Sequence, residues 1–345
     1  MKRSILKTAA LAALAAPMIA FGGSALAAPK VLKLAHQWSA PQNGHGDDRS
    51  VLAAKFAKLV DKYSNDNLKV QVYPGNSLIK PRQQWDALKS GALDMAVIVP
   101  SYFSGKVTEL RGFNMMGLLD SNAAAYKFDH GQGGTVVKNL YKKHGIKMLV
   151  WVWMPETVGY RKDKVPTPSG LKGMRMRGPG PAIEKIYANN GAGVVSMPSS
   201  DLYSALQTGA IDGAITTFSS MHSYKLYEHL KYVAESPTHG GLIYAAAPLV
   251  MSNSVWKGLN QAQQQAIMKA AKKMQPWVKK RTDEEATRNI AFFKKQGVDV
   301  FQLTPAQFQD WMKAAKPIVN HYATLSKTAA KIVKYARQAN KSVNQ

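Results

Sequence analysis

The sequence predicts an α/β protein built as two lobes. Three observations lead there. Strand-like and helix-like segments alternate along most of the chain. LDMAVIV, residues 93–99, is the nearly continuous apolar run expected of a buried parallel strand. And 318 of the 345 residues remain once a leader is set aside, enough for two domains of about 150 residues each.

The leader is residues 1–27. MKRSILK is a basic start, TAALAALAAPMIAFGG is apolar and rich in small residues, and Ala25-Leu26-Ala27 suits signal peptidase. The apolar run is short for a membrane span and carries Pro17. Export is therefore expected. No later segment is apolar for long enough to cross a bilayer.

The elements follow in order. VLKLAH (31–36) alternates as a strand, and after a polar loop Leu52, Phe56, Leu59, Val60 and Tyr63 fall at helical spacing, with Asp47 or Asp48 as the cap. LKVQVYP (68–74) is a strand and PRQQWDALKSG a short helix ended by Gly91. A helix is expected around 121–144, with GQGG (131–134) as a turn, then a strand over IKMLVWVW (146–153) and another over MRMR (174–177). A helix runs through Ile183 to Asn189, SSDLYSALQTG is a capped helix leading into the strand IDGAITT, and LIYAAAPLVMS (242–252) is one further strand. Residues 260–295 read as a long helix kinked at Pro276, where proline removes a donor and clashes with the preceding turn. After the strand VDVFQL, Thr304-Pro305-Ala306-Gln307 offers a cap, a first-turn proline and a glutamine three residues on. A last helical region reaches the end of the sequence.

Composition narrows the function. Cysteine is absent, which removes disulfides, thiol nucleophiles and cysteine-bound metals. The leader takes away Lys2, Arg3 and Lys7 and no acid, leaving 43 basic against 21 acidic residues, a formal +22. Such a field draws in anions. With export, an anionic small ligand or an anionic membrane surface fits better than nucleic acid. No acid follows Asp310, whereas Lys316, Lys327, Lys331, Lys334, Arg337 and Lys341 do. That tail reads as a solvated helix face or as a contact for acidic headgroups. G-x-S-x-G, H-E-x-x-H and G-x-x-x-x-G-K are missing from the mature chain, and the histidines lack ligand spacing. No enzyme, metal or cofactor is expected.

GLKGMRMRGPGP (170–181) is more informative. Side chains alternate along an extended run, so Arg175 and Arg177 share a face. Burying guanidinium groups at a strand end is costly unless an anion meets them, and a guanidinium grips a carboxylate in a flat fork that lysine lacks. The Gly-Pro pairs then restrict the backbone ahead of a helix whose free amides also favour negative charge. Spacing alone leaves a carboxylate clamp and a surface arginine pair both open.

Taken together, VYPGNSL, DALKSGALDMAV, VPTPSGLKGMRMRGPGP and SSDLYSALQTGAIDGAIT, in that order, give the chain its resemblance to the extracytoplasmic solute-binding proteins of tripartite ATP-independent periplasmic (TRAP) transporters, in the dicarboxylate-binding-protein family. The likeness spans almost the whole mature sequence. It implies two α/β lobes joined by crossing strands and a long spanning helix, closing over an organic acid and delivering it in the periplasm to a sodium-driven permease. It implies lobe I over 28–154 and 243–282, and lobe II over 155–242 and 283–345.

The resemblance also carries site residues. The arginine that holds the ligand carboxylate falls on Arg177, leaving Arg175 a supporting or surface residue. A second arginine common in relatives is replaced at about Thr157, and an asparagine after Asp-Gly corresponds to Thr216. An acidic pocket position corresponds to Val99. Gln37, Trp38, Tyr102, Trp151, Trp153 and Phe218 lie on segments that face the cleft in this family, and His239 and Tyr244 flank a crossing. One clamp with aromatic walls implies a monocarboxylate with an apolar or aromatic body. A C4-dicarboxylate ligand, an exported basic scaffold on acidic surfaces, and a hydrolase or isomerase of an organic acid are the alternatives. A monomer is the simplest expectation.

Overall fold

The computed structural model describes residues 29–238 and 240–343, so the leader and His239 lie outside the described residues. The elements run β1 Lys30–Ala35, α1 Asp48–Tyr63, β2 Leu68–Tyr73, α2 Gln84–Ser90, β3 Met95–Val97, α3 Asn122–His130, α4 Gln132–Lys143, β4 Ile146–Val150, β5 Trp153–Tyr160 and β6 Arg175–Gly178. They continue with α5 Pro181–Asn189, β7 Gly193–Ser196, α6 Leu202–Gln207, β8 Gly213–Thr217, α7 Phe218–Ser223, β9 Tyr232–Glu235, β10 Ile243–Ala246 and β11 Leu249–Ser252. The last stretch holds α8 Asn253–Lys257, α9 Gln261–Asp283, α10 Glu285–Lys295, β12 Asp299–Gln302, α11 Pro305–Thr324 and α12 Lys327–Lys341.

Two sheets result. The first has the order β2-β1-β3-β11-β4, and the second β12-β9-β5-β8-β6-β7 with β10 also paired to β5. Both are mixed rather than parallel: β11 runs against β3 and β4, and β5 against β8, β9 and β10. The reason is that strands passing between the lobes enter each sheet against its own direction. Helices cover both faces of each sheet, giving four apolar clusters around Trp85, Phe56, Tyr187 and Phe218.

Two segments expected as single strands are each divided between the sheets. IKMLVWVW ends as β4 at Val150 and resumes as β5 at Trp153, while LIYAAAPLVMS splits into β10 and β11 around Ala247-Pro248. The two crossings bond to each other through Ala247 N–H and Val152 C=O at 2.8 Å. Ile243–Ala246, expected in lobe I, therefore belongs to the second sheet. The C-terminal helix also departs from the expected boundaries: α12 packs on α3 and α4 of lobe I. Its Ala329, Ile332, Val333 and Ala336 share a core with Phe128 and Val137.

The expected helix over 121–144 is two helices, and GQGG is more than a turn. Gly131 ends α3, and Gly133 and Gly134 lie inside α4. A Cβ on Gly134 would overlap the carbonyl of Asp129, so glycine is what lets the first turn of α4 abut the last turn of α3.

The spanning helix breaks at Glu284, not at Pro276. Pro276 is exposed within an unbroken α9, so the carbonyl it frees is open to water. At the break, the loosened carbonyls have partners: Arg288 Nη1 donates to Arg281 C=O at 3.0 Å and Asn122 Nδ2 to Thr282 C=O at 3.1 Å. Asp48 grips Arg281 and Arg288 on either side at 2.6 and 2.8 Å.

Candidate functional site

Arg177 is the next-to-last residue of β6, with Val195 of β7 on one side and Ala214 of β8 on the other. Its side chain is folded against the second sheet: Nε donates to Met197 C=O at 2.9 Å and Nη1 to Ile215 C=O at 2.7 Å. Nη2 donates to the Tyr102 hydroxyl at 3.2 Å. Three of the five guanidinium hydrogens are thus engaged, none by a carboxylate, and one remains on each terminal nitrogen. The residue is 1% exposed. A buried cation held by carbonyl dipoles, with donors to spare, is preorganised for an anion. Arg175, on the same strand face, is exposed and salt-bridged to Asp212 at 2.9 Å, so the two arginines have separate tasks.

The Gly-Pro pairs now have a structural role. Gly180 caps α5 and lies against the opposite lobe, where an added Cβ would come within 3.0 Å of Ser101 Cβ. Ser101 Oγ donates to Pro179 C=O at 3.2 Å.

Around Arg177 the structure gathers Tyr102 and Gln37 from lobe I. The Tyr102 oxygen also accepts from the Ser199 amide at 2.9 Å and from Gln37 Nε2 at 3.5 Å. Gln37 Oε1 is buried without a hydrogen-bond partner. Thr157 and Thr216 are paired in register on β5 and β8, and the Thr157 hydroxyl donates to Ala234 C=O. Beside them stands an acid that sequence reasoning passed over. Glu156 is buried and accepts from Asn114 Nδ2 at 2.6 Å. Burial raises its carboxyl above the ordinary value, against the pull of the Asn114 hydrogen bond and of the Arg177 and Arg49 charges.

Trp38 sits at the contact between the lobes. Its Nε1 donates to Ser220 Oγ at 3.2 Å, and the Arg49 guanidinium lies 4.0 Å from its ring centroid. Arg49 is buried, forks onto Asp47 at 2.8 and 2.7 Å, and reaches across to Thr217 Oγ1 at 2.8 Å and Ser220 Oγ at 2.7 Å. Burial opposes its charge, but Asp47 and Glu285 outweigh that and hold it protonated. Ser220 Oγ also donates to Asp47 Oδ2 at 3.2 Å, so one hydroxyl joins three lobe I side chains. Tyr224 OH adds a bond to Gln37 C=O at 3.0 Å. In the sequence, Asp47-Asp48-Arg49 reads only as a helix start. The signal was three adjacent charges of both signs, which burial turned into ion pairs. Nearby His36 is buried with both ring nitrogens lacking a hydrogen-bond partner, and burial lowers its pKa to about 4.

Three expected wall residues are placed elsewhere. Trp153 and Trp151 stack on each other with centroids 5.7 Å apart, in the core between α3 and α9. The Trp153 Nε1 donates to Asp129 at 3.0 Å, and the Trp151 backbone is bracketed by the Gln275 amide at 2.9 and 3.0 Å. Phe218 is fully buried among Leu202, Leu206 and Ile211. Facing segments do not fix which way a side chain turns, and here the indoles turned toward α3. A cavity of about 1020 Å³ does border Trp151, but it opens between α3, α4, β4 and α9, and Arg177 is not among the residues that line it.

Two lobes, paired strand crossings, a helix broken between them and a buried cation at the contact define the class of two-lobed binding proteins. The pattern of the family described as "Bacterial extracellular solute-binding protein, family 7" (DctP) matches residues 35–325, and the chain belongs to that family, the solute-binding component of TRAP transporters. A solute-binding protein of Albidiferax ferrireducens is 32% identical over 315 residues, covering 91% of this chain and 93% of that one. The C4-dicarboxylate-binding periplasmic protein DctP of Rhodobacter capsulatus is 27% identical over 317 residues, covering 91% and 92%. Among solved structures, a TRAP periplasmic solute-binding protein from Rhodoferax ferrireducens with bound malonate is similar, with a TM-score of 0.85 and 32% identity over 89% of this chain and 98% of that one.

Proposed function

We propose that this protein is the periplasmic capture subunit of a TRAP transporter, closing over a small organic acid whose one carboxylate is held by Arg177, and handing it to the membrane permease. The observation that carries the reading is Arg177 itself: buried, backed by two carbonyls, and left with two donors. Ligand that touches both lobes stabilises only the closed form, so its differential affinity drives closure. No chemistry is required of the site.

The placement of Trp151, Trp153 and Phe218 removes most support for an aromatic-walled pocket. What supports a polar pocket instead is Tyr102 bonded to Arg177, Gln37 bonded to Tyr102, the Thr157–Thr216 pair on the neighbouring strands, and a Glu156 carboxyl that feels the Arg177 charge. That set favours a monocarboxylate whose body carries hydrogen-bonding groups. A second carboxylate would meet Thr157 where relatives offer another arginine. A short dicarboxylate is the second reading, favoured by the malonate bound in the 32%-identical relative.

A thermal-shift screen separates the two. Hydroxylated or amide-bearing monocarboxylates are compared with malonate and succinate at fixed ionic strength. A ligand at a hundredfold excess over its dissociation constant stabilises by about 2.7 kcal/mol. Shifts by monocarboxylates are expected, and shifts by dicarboxylates alone would overturn the single-clamp reading while keeping the family.

A further inference from the structure

We propose that the outer face of α12, with the helix flanks beside it, is a docking surface for the anionic headgroups of a phospholipid bilayer. Lys327, Lys331, Lys334 and Lys341 recur at spacings of four, three and seven, all exposed, while Ala329, Ile332, Val333, Ala336 and Ala339 are buried against lobe I. One stripe of cations therefore faces outward over about 21 Å of helix.

Both flanks extend the stripe. On one side Lys331 borders a groove of about 520 Å³ together with Lys106, Lys143 and His144. On the other, Arg337 and Lys316 border a second groove of about 300 Å³, with Arg337 tied to Asn320 at 2.9 Å. Acids are few on this surface. Glu109 accepts from Ser326 Oγ at 2.8 Å, Asp86 pairs with Lys106, and Asp120 lines the smaller groove. Among the described residues, none of the four stripe lysines forms an ion pair.

The same face shows why the occupant is a lipid surface rather than a protein. Stable protein interfaces have an apolar centre, but the strongly exposed large apolar residues of the described chain, Val31, Leu78, Val194 and Met268, all lie off α4, α11 and α12. A cationic face without a strongly exposed large apolar residue suits a plane of phosphates, which it meets by charge. Docking of this kind concentrates the protein near a membrane-embedded permease without occupying the ligand cleft.

The test is co-sedimentation of the full exported chain with vesicles of phosphatidylcholine alone or with about one-third phosphatidylglycerol, at low and high salt. Binding to the anionic vesicles only, lost at high salt, is expected. The variant Lys327→Gln/Lys331→Gln/Lys334→Gln/Lys341→Gln should lose about fivefold in affinity per lysine, several hundredfold in all, with its melting temperature kept. A control that neutralises Lys162, Lys172, Lys225 and Lys295, exposed on lobe II, should retain most of the binding. Equal loss in both variants would show that only net charge matters and would overturn the assignment of a face. No binding of the unaltered protein to anionic vesicles would overturn the proposal, as would retention on poly-glutamate alone, which would transfer the face to an acidic protein.

Discussion

Removing one oxygen at the lobe contact, in Ser220→Ala, should weaken ligand capture far more than it disturbs the fold. The Ser220 hydroxyl accepts from Arg49 Nη2 at 2.7 Å and Trp38 Nε1 at 3.2 Å, and donates to Asp47 Oδ2 at 3.2 Å. All three partners lie on lobe I, so these bonds exist only when the lobes are closed. Hydrogen bonds to charged groups contribute about 1.5–3 kcal/mol each and a neutral one about 1. Arg49 and Asp47 keep their mutual fork, which limits the loss to about 3 kcal/mol. Where closure over the acid is what captures it, as proposed above, that cost passes into the apparent dissociation constant, about a hundredfold. Titration calorimetry with the acid found in the screen, beside far-UV circular dichroism and small-angle scattering of the free protein, reads the effect. Affinity within threefold of the parent, with the fold unchanged, would refute the idea that these bonds stabilise closure.

Arg177→Lys should lower affinity by about 2–5 kcal/mol in the same titration, because an ammonium cannot hold Met197, Ile215 and a carboxylate together. Glu156→Gln should raise the melting temperature at neutral pH. Its folded-state pKa lies above the ordinary 4.5, so below that pH both folded and unfolded forms are protonated and the variant gains nothing. Stability of the parent then falls as pH rises from 4.5 through the folded value, so a pH series of melts should show the gap opening upward. A gap confined to acid pH would contradict the buried acid. Trp153→Phe should cost about 1–2 kcal/mol of stability, leaving Asp129 without its indole donor, yet leave ligand affinity unchanged. A large loss of affinity would return Trp153 to the cleft.

Local chemistry made several features legible in advance. The Thr304–Gln307 capping box forms as its residue types require, Gly91 ends α2 in the left-handed region at φ 80°, and Asp47 caps α1 by accepting from the Arg49 amide. Each depends on contacts within a few residues. Breaks governed by lobe passage were not legible, because β4/β5 and β10/β11 are continuous in apolar pattern and divide only where two sheets exist. The helix break behaved likewise: proline marks a possible kink, but Asp48, 233 and 240 residues from its partners, selected the place.

By itself the sequence determined the α/β class and the helix caps, which rest on residue type and spacing, and its ordered motifs carried the family resemblance that singled out Arg177. Tertiary structure decided what surrounds Arg177. It turned Trp151, Trp153 and Phe218 into cores, brought Ser220 under Trp38 and Arg49, buried Glu156 near Arg177, and laid α12 on lobe I with its lysines outward. The physical reason is that period and propensity fix which face of an element a side chain occupies, whereas its neighbour across a cleft is fixed only when distant segments pack and their polar groups must find partners.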